Sequence, residues 1–481
     1  MKKINKYFCY VFFVVPIVLF LFSDFTEETD IWFLLSHGRY VLNHGFPHVE
    51  FLTMHEGLHF VMQQWLSSIL FYVIYKHFGV IGIYFLVWFF FAIIMYLVYK
   101  LCMKVCGDIY LSCVFSTITL SLLARNFITC RPNTISIIIF LVLLIIMEGF
   151  YQKKSKKIYL LVLLSLLEIN LHAAMWPILF ILLLPFLADY FIKYLKKKDK
   201  TFITILFVML LMFLVGFINP YGWEAMTYSI RSYGVSEIND FVWEMRALNF
   251  GSQYDYVRHF SLLVYIVIVG VSVILIKSRK KVDYYILFLI FGTYLMALMN
   301  IRNVMMFLIC SLPFCTKYIP AKTKYSNANS KIYNCFYLVL MCSIIMFGFA
   351  CKDHYILQDE KSGQKEILQY LDKQKKNGNI GNIYASSFFG GYFSFHGYKN
   401  YIDSRAEVFL KRNNHKEDIY KEYYLEMYEE LSYSDFLNRY KFKYLVVAED
   451  EYLLKYLQSS ENTQYKYVFN SKKLYLFEKK D

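Results

Sequence analysis

A series of apolar runs constrains this chain more than any other feature. A helix that crosses a bilayer needs about 20 mostly apolar residues, although short or tilted helices also occur. About eleven such runs are present, at Tyr7–Phe22, Val80–Tyr99, Ile109–Leu123, Thr134–Phe150, Ile158–Ile169, Ala173–Phe191, Phe202–Ile218, Phe260–Ile276, Tyr284–Met299, Val304–Cys315 and Ile332–Ala350. Because a backbone in lipid must satisfy its own hydrogen bonds, these runs predict a polytopic α-helical membrane protein with about 11 transmembrane helices.

Composition and charge placement agree with a membrane protein and argue against a nucleic-acid-binding one. Of the 481 residues, 58% are hydrophobic and only 18% are charged, which is far from an average soluble domain. The formal net charge of +14 reflects lysines that lie in short clusters between the apolar runs. Such clusters orient membrane helices, because cytoplasmic loops are enriched in Lys and Arg. We therefore predict no nucleic-acid partner.

The lysine clusters set the orientation of the chain. They lie at 2–6, 100–104, 153–157, 193–200, 277–281 and 317–331. All face the cytoplasm if residues 65–78 form a juxtamembrane or re-entrant helix and the run 158–192 turns back once, at residues 170–172. The N-terminus is then cytoplasmic, and loop 23–78 and everything after Ala350 face the outside of the plasma membrane. Whether residues 65–78 cross the membrane stays open.

The loop from Ser23 to Trp65 is rich in ionisable residues although it lies between apolar runs. It carries Asp24, Glu27, Glu28, Asp30, Glu50, Glu56, His37, His44, His48, His55 and His59. Ionisable groups beside a membrane are often functional, and Ile31–Leu42 has the apolar spacing of an amphipathic helix lying on the bilayer. Asp30 starts this helix, where the roles of N-cap and general base are compatible. A plain solvated loop is the alternative.

After Ala350 the sequence becomes a segment of mixed charge. Helical patterns at Gly363–Lys376 and His415–Leu431 alternate with strand patterns at Ile380–Ala385 and Tyr444–Ala448, and a candidate hairpin covers Tyr465–Phe469 and Leu474–Phe477. Alternation of this kind predicts a small C-terminal extracytoplasmic α/β domain. We place it at 351–481, after a transmembrane domain at 1–350 whose outer loop, 23–78, carries the candidate site.

The loop contains several short motifs, and further motifs occur in later outer segments and in the tail. The loop reads Asp30-Ile-Trp-Phe-Leu-Leu-Ser-His-Gly38-Arg39, then Asn43-His-Gly45-Phe-Pro47, then Gly57 and Gln64-Trp65-Leu66. Further motifs are Arg131-Pro132-Asn133, Asn170-Leu171-His172, Asn219-Pro220-Tyr221-Gly222, Glu244, Gly390-Gly391-Tyr392 and Tyr401-Ile-Asp403-Ser-Arg405-Ala-Glu407. The series resembles a mostly uncharacterised bacterial branch of the GT-C-type membrane glycosyltransferases, which use polyprenyl-phosphate sugars. It departs from them at Trp32-Phe33, where many relatives have Trp-His, and at Asp403-Ser404.

The resemblance implies a GT-C-like fold and transfer of a sugar from a polyprenyl-phosphate carrier to a glycan, lipid or protein acceptor of the cell envelope. It implies that Asp30 is the general base that takes the proton of the acceptor hydroxyl. The predicted substrate-binding residues within its motifs are Arg39, His44, Arg131, Asn170, His172 and Glu244. Trp243, an aromatic residue beside Glu244, and Arg302, at an outer helix end, complete the predicted substrate-binding set. No cofactor and no metal site are expected, although the acidic residues from Asp24 to Asp30 leave a divalent cation open.

Several of these residues have ordinary structural alternatives. Arg131 and Arg302, at outer helix ends, bind phosphate or simply snorkel to headgroups. His172 contacts a ligand or only closes a tight interhelical turn beside Asn170. Trp243 is a sugar platform or an interfacial tryptophan.

The remaining polar motifs are assigned to structure. Residues 219–222 predict a helix end and a turn, Gly390-Gly391 a backbone turn, and Asp403 with Arg405 a structural ion pair. Two histidine pairs in the loop have metal-ligand spacing, but a proline or a glycine between their members opposes the helix that would align them, so no metal is expected there.

Three other functions remain as alternatives to a sugar transferase. A polysaccharide polymerase or ligase of the same architecture would use a lipid-diphosphate glycan. A transporter of such lipids is less favoured, because Glu148 and Glu168 are the main charges within the spans and a proton-coupled carrier would need more. In a non-catalytic scaffold subunit Asp30 would be only a helix cap, and Asp30→Asn would leave function intact.

Overall fold

The structure is a computed structural model of the chain, and it describes residues 12–21, 29–232, 242–249, 251, 255–278, 282–320, 356–378, 381–428 and 431–480. The predicted span 332–350 lies outside the described residues, as do Asp24, Glu27 and Glu28 of the outer loop.

Helices dominate the chain as far as Cys315 and alternate with strands after Ile356. In chain order the α-helices are α1 (Val14–Leu21), α2 (Asp30–His44), α3 (Trp65–Cys106), α4 (Ile109–Asn126), α5 (Pro132–Lys153), α6 (Leu160–Leu171), α7 (Trp176–Lys197), α8 (Thr201–Val215), α9 (Trp223–Met226), α10 (Tyr228–Ser232), α11 (Asp255–Lys277), α12 (Tyr284–Met299), α13 (Val304–Cys315), α14 (Ile356–Lys376), α15 (Ser387–Phe395), α16 (Lys411–Asn414), α17 (Ile419–Met427), α18 (Tyr433–Tyr440) and α19 (Tyr452–Gln458). Short 3-10 helices cover Lys156–Tyr159, Ala173–Met175, Trp243–Met245, Ile301–Asn303, Thr316–Tyr318 and Ala406–Phe409. The strands are β1 (Ile383–Ala385), β2 (Tyr444–Ala448), β3 (Tyr465–Ser471) and β4 (Leu474–Lys479).

Several helices have the length and composition of membrane spans. Among the described residues, four helices are long and apolar enough to cross a bilayer: Trp65–Cys106, Pro132–Lys153, Ala173–Lys197 and Val257–Lys277. Three shorter apolar helices are Ile109–Ala124, Thr201–Val215 and Tyr284–Met299. Each coincides with an apolar run of the sequence, because such a run in lipid satisfies its backbone groups as a helix. The protein is mostly helical, and the total of about eleven spans stays a prediction.

Gly79 interrupts the 42-residue helix α3. Its backbone angles, φ 61° and ψ −155°, are not helical and suit glycine, which has no Cβ. The break separates residues 65–78 from the predicted span that starts at Val80. That residues 65–78 form a juxtamembrane or re-entrant helix stays a prediction.

The predicted turn at residues 170–172 is confirmed. α6 ends at Leu171, and His172 has φ −158° and ψ 77° before the 3-10 turn that leads into α7. The Asn170 side chain fixes this turn, because its Nδ2 donates to the carbonyl oxygens of Leu166 at 2.8 Å and Ile218 at 2.9 Å.

The C-terminal segment contains a four-stranded sheet in the order β1-β2-β4-β3. β1 and β2 are parallel, and the other two pairings are antiparallel. All five residues of β2 are buried, as expected for a central strand with a continuous apolar sequence. Helices α14 and α15 complete the core with Ile367, Leu371, Phe389 and Phe393.

Most of the predicted elements of this segment are confirmed, with one correction. The strand at 444–448 and both strands of the hairpin are present. The helix predicted at 415–431 is shorter, because His415 has φ 63° and ends α16 in the left-handed region. α17 then begins at Ile419, where the Asp418 carboxylate caps it by accepting from the Lys421 backbone N–H.

The described residues divide into two compact units. The helical unit takes its residues from Met1–Thr26, Tyr84–Gly222 and Val242–Asp353, and the tail unit from Glu27–Ile83, Trp223–Phe241 and His354–Asp481. This grouping differs from a division at residue 350, because the outer loop pairs with the tail. The Met54 backbone N–H, for example, donates to the carbonyl oxygen of Asn400 at 2.9 Å.

Candidate functional site

Asp30 is the first residue of α2, in the tail unit. The N-cap position belongs to Thr29, which has φ −61° and ψ −29° and makes no side-chain cap hydrogen bond. The predicted helix start is confirmed, but Asp30 is the first helical residue and not the N-cap. Its half-buried carboxylate lies in the first turn, where the helix dipole favours a negative charge. Its role as a general base stays a prediction.

Gly38 allows α2 to pack closely on α3 within the tail unit, and α15 packs on α2 near Gly391. A Cβ on Gly38 would overlap the carbonyl oxygen of Ser68 on α3, so the two helices cross with their backbones almost in contact. A Cβ on Gly391 of α15 would lie 3.6 Å from the Cβ of Trp32. The apolar residues of α2 are buried here: Ile31, Phe33, Leu34 and Leu35. The helix predicted to lie on the bilayer instead buries these side chains against protein.

The glycine pair of the tail is helical, which corrects the prediction of a backbone turn. Gly390 and Gly391 both lie within α15. A Cβ on Gly390 would overlap the carbonyl oxygen of Ile402 and the side-chain amide of Asn400. The glycine is required because another backbone segment passes directly over the helix.

Arg405 is the centre of a buried ionic cluster in the tail unit. Its Nη2 lies 2.8 Å from Oε1 of Glu50 and 2.6 Å from Oδ2 of Asp403, and its Nη1 lies 3.1 Å from Nε2 of His37. Glu50 also accepts hydrogen bonds from the backbone N–H groups of Leu52 and Thr53. The predicted ion pair of Asp403 with Arg405 is confirmed, and the structure adds the loop residues His37 and Glu50.

The charges in this cluster determine the protonation of its members. Burial raises the pKa of Glu50, but the Arg405 charge and the hydrogen bonds from Thr53 outweigh it and hold the pKa below its ordinary value. Burial, and next the Arg405 charge, lower the pKa of His37 well below its ordinary value. Because a guanidinium only donates, Nε2 of His37 accepts and the ring is neutral, with its proton on Nδ1.

Arg39 and His44 make contacts within the tail unit. Nη2 of Arg39 donates to the carbonyl oxygen of Phe395 at 2.8 Å, and its guanidinium carbon lies 4.6 Å from the centre of the Phe395 ring. Arg39 thereby satisfies a carbonyl in the last turn of α15. His44 stacks on Tyr40, with ring centres 4.6 Å apart. Substrate binding by either residue stays a prediction.

The helical unit contains a second polar cluster, in which Glu244 lies between two arginines. Oε1 of Glu244 is 2.8 Å from Nη1 of Arg131 and 3.0 Å from Nη2 of Arg302. Burial raises the pKa of Glu244, but Arg302 and Arg131 outweigh it and lower the pKa to about 2. The cluster carries two positive charges against one negative charge. Three residues that the sequence nominated separately therefore lie together, whereas the Trp243 side chain is outside the described part of the structure.

His172 and the motif at 219–222 have clear structural partners in the helical unit. Nδ1 of His172 lies 3.0 Å from Oγ of Ser136 on α5. The predicted turn at 219–222 is confirmed, because Oδ1 of Asn219 accepts from the Tyr221 backbone N–H and Gly222 has φ 53°. These contacts hold neighbouring helix ends together, and ligand binding by Asn170 or His172 stays a prediction.

The loop histidines bind protein groups. Nε2 of His55 lies 2.9 Å from the carbonyl oxygen of Tyr401, and Nε2 of His59 lies 3.1 Å from Oε1 of Glu224. The His59 ring also stacks on His415, with centres 4.7 Å apart. In the described part of the chain, no three His, Cys, Asp or Glu side chains are grouped as metal ligands.

Sequence reasoning missed that His37 and Glu50 meet Arg405. The local sequence shows only that His37 is seven residues after Asp30, a spacing that places both residues on one face of α2. It contains no sign that His37 contacts Arg405. The contact of the loop with the tail spans more than 350 residues and depends on tertiary packing, which no local pattern encodes.

Three solved structures with a similar fold are oligosaccharyltransferases of an archaeon. The apo oligosaccharyltransferase of Archaeoglobus fulgidus superposes with a TM-score of 0.61 at 11% identity, covering 93% of this chain and 70% of that chain. The same enzyme tethered to an acceptor peptide with the NVT sequon gives 0.61 at 10% identity, covering 98% and 74%. The oligosaccharyltransferase AglB of Archaeoglobus fulgidus, in complex with an inhibitory peptide and a dolichol-phosphate, gives 0.59 at 10% identity, also covering 98% and 74%.

The similarity is one of fold. The sequence matches no known protein-family profile and no curated protein. At an identity of 10–11% the superposition shows a shared architecture over nearly the whole chain and does not by itself transfer an activity.

Proposed function

We propose that this chain is a membrane glycosyltransferase that transfers a sugar from a polyprenyl-phosphate carrier to a glycan, lipid or protein acceptor of the cell envelope at the outer face of the plasma membrane. The observation that carries the proposal is the shared fold with an archaeal oligosaccharyltransferase over 98% of the chain. That enzyme has been captured with an acceptor peptide and, separately, with a peptide and a dolichol-phosphate. The motifs that begin at Asp30 support the same class independently.

In the proposed reaction Asp30 acts as the general base. The acceptor hydroxyl attacks the anomeric carbon of the donor sugar, the Asp30 carboxylate takes the hydroxyl proton, and the carrier phosphate leaves with the electron pair of the broken bond. Attack from the side opposite the leaving group inverts the anomeric centre. The position of Asp30 in the first turn of a helix packed on both sides supports a fixed carboxylate.

The cluster of Arg131, Glu244 and Arg302 is the proposed site for the carrier phosphate. Its excess positive charge and its paired guanidinium groups suit a phosphate, which accepts charge-assisted hydrogen bonds. The other proposed substrate-binding residues are Arg39, His44, Asn170, His172 and Trp243. No metal ion is required by this scheme.

The donor can also be a lipid-linked oligosaccharide. This second candidate is favoured by the neighbouring structures, which are those of an oligosaccharyltransferase. It corresponds to a polymerase or ligase that uses a lipid-diphosphate glycan, and Asp30 would have the same role in it.

The test compares the wild type with Asp30→Asn in lipid nanodiscs that contain polyprenyl-phosphate sugars or a lipid-diphosphate glycan. Asp435→Asn is the matched control, because Asp435 is an exposed carboxylate in the first turn of another tail-unit helix. We expect all three proteins to be stabilised by the donor, and only the wild type and the control to transfer the sugar.

Two outcomes would count against the proposal. If Asp30→Asn keeps full transfer activity, Asp30 is not the base. If no carrier lipid changes the melting temperature and no transfer occurs, a scaffold role replaces the transferase.

A further inference from the structure

A small pocket lies in the tail unit, and Asp30 is not one of its lining residues. It lies between α10, the loop before Trp65 and the segment from Glu407 to Asn413. Phe60 lines it with an apolar ring, and Tyr228, Arg231, Glu407 and Asn413 line it with polar groups. Apolar walls with a small number of placed polar groups are typical of a site that orients a ligand, and Val61 and Val408 add to the apolar lining here.

Arg231 brings an unsatisfied donor to this pocket. Its Nη2 donates to the carbonyl oxygen of Glu224 at 2.7 Å, which fixes the guanidinium. Its Nε is buried, and no residue in the described ranges accepts a hydrogen bond from it. A buried donor without an acceptor costs about 1–3 kcal/mol. The pocket therefore favours a ligand that supplies an oxygen acceptor.

Glu407 brings a carboxylate to the same pocket. Nε2 of Gln63 donates to its Oε1 at 3.2 Å, and the Tyr228 hydroxyl forms a further hydrogen bond with the carboxylate. Nδ2 of Asn413 donates to the Glu407 backbone carbonyl oxygen at 2.7 Å. A carboxylate has about four acceptor positions, so it can accept from a ligand as well.

The pairing of Arg231 with Glu407 limits the charge of the ligand. A second carboxylate or a phosphate would be attracted by the arginine but repelled by Glu407 at close range. A neutral group that both accepts and donates satisfies both side chains, and two neighbouring hydroxyl groups do so. The pocket is small and partly open, so only the edge of a ligand, such as two neighbouring hydroxyl groups, can enter it.

We propose that this pocket binds the hydroxyl edge of a neutral sugar, with one hydroxyl accepting from Nε of Arg231 and its neighbour donating to Glu407. The identification of that sugar as part of an acceptor glycan rests on the proposed transferase function. The pocket would thus hold the acceptor on the tail unit and select a neutral glycan.

A binding experiment tests the proposal without requiring catalysis. Saturation-transfer NMR would be recorded on the full chain in nanodiscs with methyl glycosides of glucose, galactose and N-acetylglucosamine. Glucuronic acid and a short Ser/Thr peptide would serve as competing ligand classes. The variants are Arg231→Lys, which keeps the charge but lacks Nε in that position, and Glu407→Gln. Arg439→Lys is the matched control, because Arg439 is an exposed arginine of α18 outside the pocket.

We expect at least one neutral glycoside to bind the wild type and the control, and Arg231→Lys to weaken that binding about tenfold, which corresponds to the loss of one or two hydrogen bonds. The same binding is expected in Asp30→Asn. If the wild type transfers no sugar but still binds a glycoside, only the proposed reaction is overturned.

Three results would overturn the pocket assignment. These are no binding by any of the three glycosides, equal binding by Arg231→Lys and the wild type, and preferential binding of glucuronic acid or the peptide. The thermal melting curve of each variant, followed by intrinsic fluorescence, must match that of the control. If Glu407→Gln is unfolded, the binding measured for Arg231→Lys decides the pocket assignment.

Discussion

Arg405 and Glu50 are 355 residues apart in the sequence, and their side chains form a buried ion pair with 2.8 Å between Nη2 and Oε1. The relative exposure of the two side chains is 3% and 0%. His37 contacts the same guanidinium, so the pair joins the helix that carries Asp30 to the tail through a single side chain. A substitution in the tail is therefore expected to affect the outer loop.

Arg405→Leu is expected to destabilise the tail unit by about 3–5 kcal/mol, because it leaves Glu50 and Asp403 as buried charges without their partner. Arg439→Leu is the control, since the ion pairs of Arg439 are exposed and such pairs contribute little. The measurement is thermal unfolding of both variants in the same nanodiscs. Equal melting temperatures for the two variants would show that the Arg405 cluster is not structural.

The His37–Arg405 contact predicts a loss of stability in acid. The pKa of His37 is lower in the folded chain than the ordinary value of 6.5, so the neutral ring stabilises the fold above that pH. As pH falls below about 6.5, the unfolded chain takes up the proton more readily and this contribution is lost. The lowered pKa of Glu50 adds a further loss below its ordinary value of 4.5.

The comparison of His37→Gln with the wild type isolates the histidine. A glutamine side-chain oxygen can still accept from Arg405 but does not titrate. Melting temperatures measured from pH 8 to pH 5 are expected to fall more steeply for the wild type than for the variant. Parallel curves would assign the acid loss to other groups.

A second buried pair predicts a loss of stability in alkali. The Tyr384 hydroxyl donates to Oε2 of Glu426 at 2.9 Å and lies 3.5 Å from Oε2 of Glu451. Burial raises the pKa of Glu426 to about 8, and burial together with the charge of Glu426 raises the pKa of Glu451 well above its ordinary value. A raised pKa means that the protonated form stabilises the fold, fully below about 4.5 and progressively less as pH rises through 8.

Glu426→Gln keeps the shape of the side chain and removes its charge. We expect the variant to be more stable than the wild type at pH 9 and similar to it at pH 5, measured as the melting temperature of the full chain. A variant less stable than the wild type at pH 9 would show that the buried charge of Glu426 does not destabilise the fold. Glu417→Gln is the control, because Glu417 is an exposed carboxylate of the same unit.

Local patterns predicted the elements of this chain but not the contacts among them. The helix α12 has the predicted bounds, and β2 also matches, because an apolar run and a buried β-branched strand each determine their own backbone form. The turn at 170–172 followed from its flanking lysine clusters. The predicted total of eleven spans stays a prediction, because the span predicted at 332–350 lies outside the described residues.

The candidate sites show the same division between local and tertiary information. Arg131, Glu244 and Arg302 were each nominated from the sequence, yet only the folded chain brings both arginines within 3.0 Å of the Glu244 carboxylate. Arg39 was nominated with them and instead contacts the end of α15. Sequence marks a polar residue near a membrane as unusual, but it does not distinguish a helix contact from a ligand contact.

The tight crossing of α2 and α3 gives a prediction that depends on one missing methyl group. Gly38→Ala would place a Cβ against the carbonyl oxygen of Ser68 and the Cβ of Tyr72. The backbone of Ser68 cannot move without moving α3, so we expect destabilisation of about 1–3 kcal/mol. Because α2 carries Asp30, a reduced transfer rate should accompany the lower melting temperature.

Gly270→Ala is the matched control for this crossing, because Gly270 also lies inside a helix but has open space around its Cβ position. Alanine is the better helix former by about 1 kcal/mol, so the control is expected to be at least as stable as the wild type. Thermal unfolding of both variants in nanodiscs checks the comparison. If Gly38→Ala matches Gly270→Ala in melting temperature, α2 and α3 do not cross in close contact, and the fixed position of Asp30 loses its structural basis.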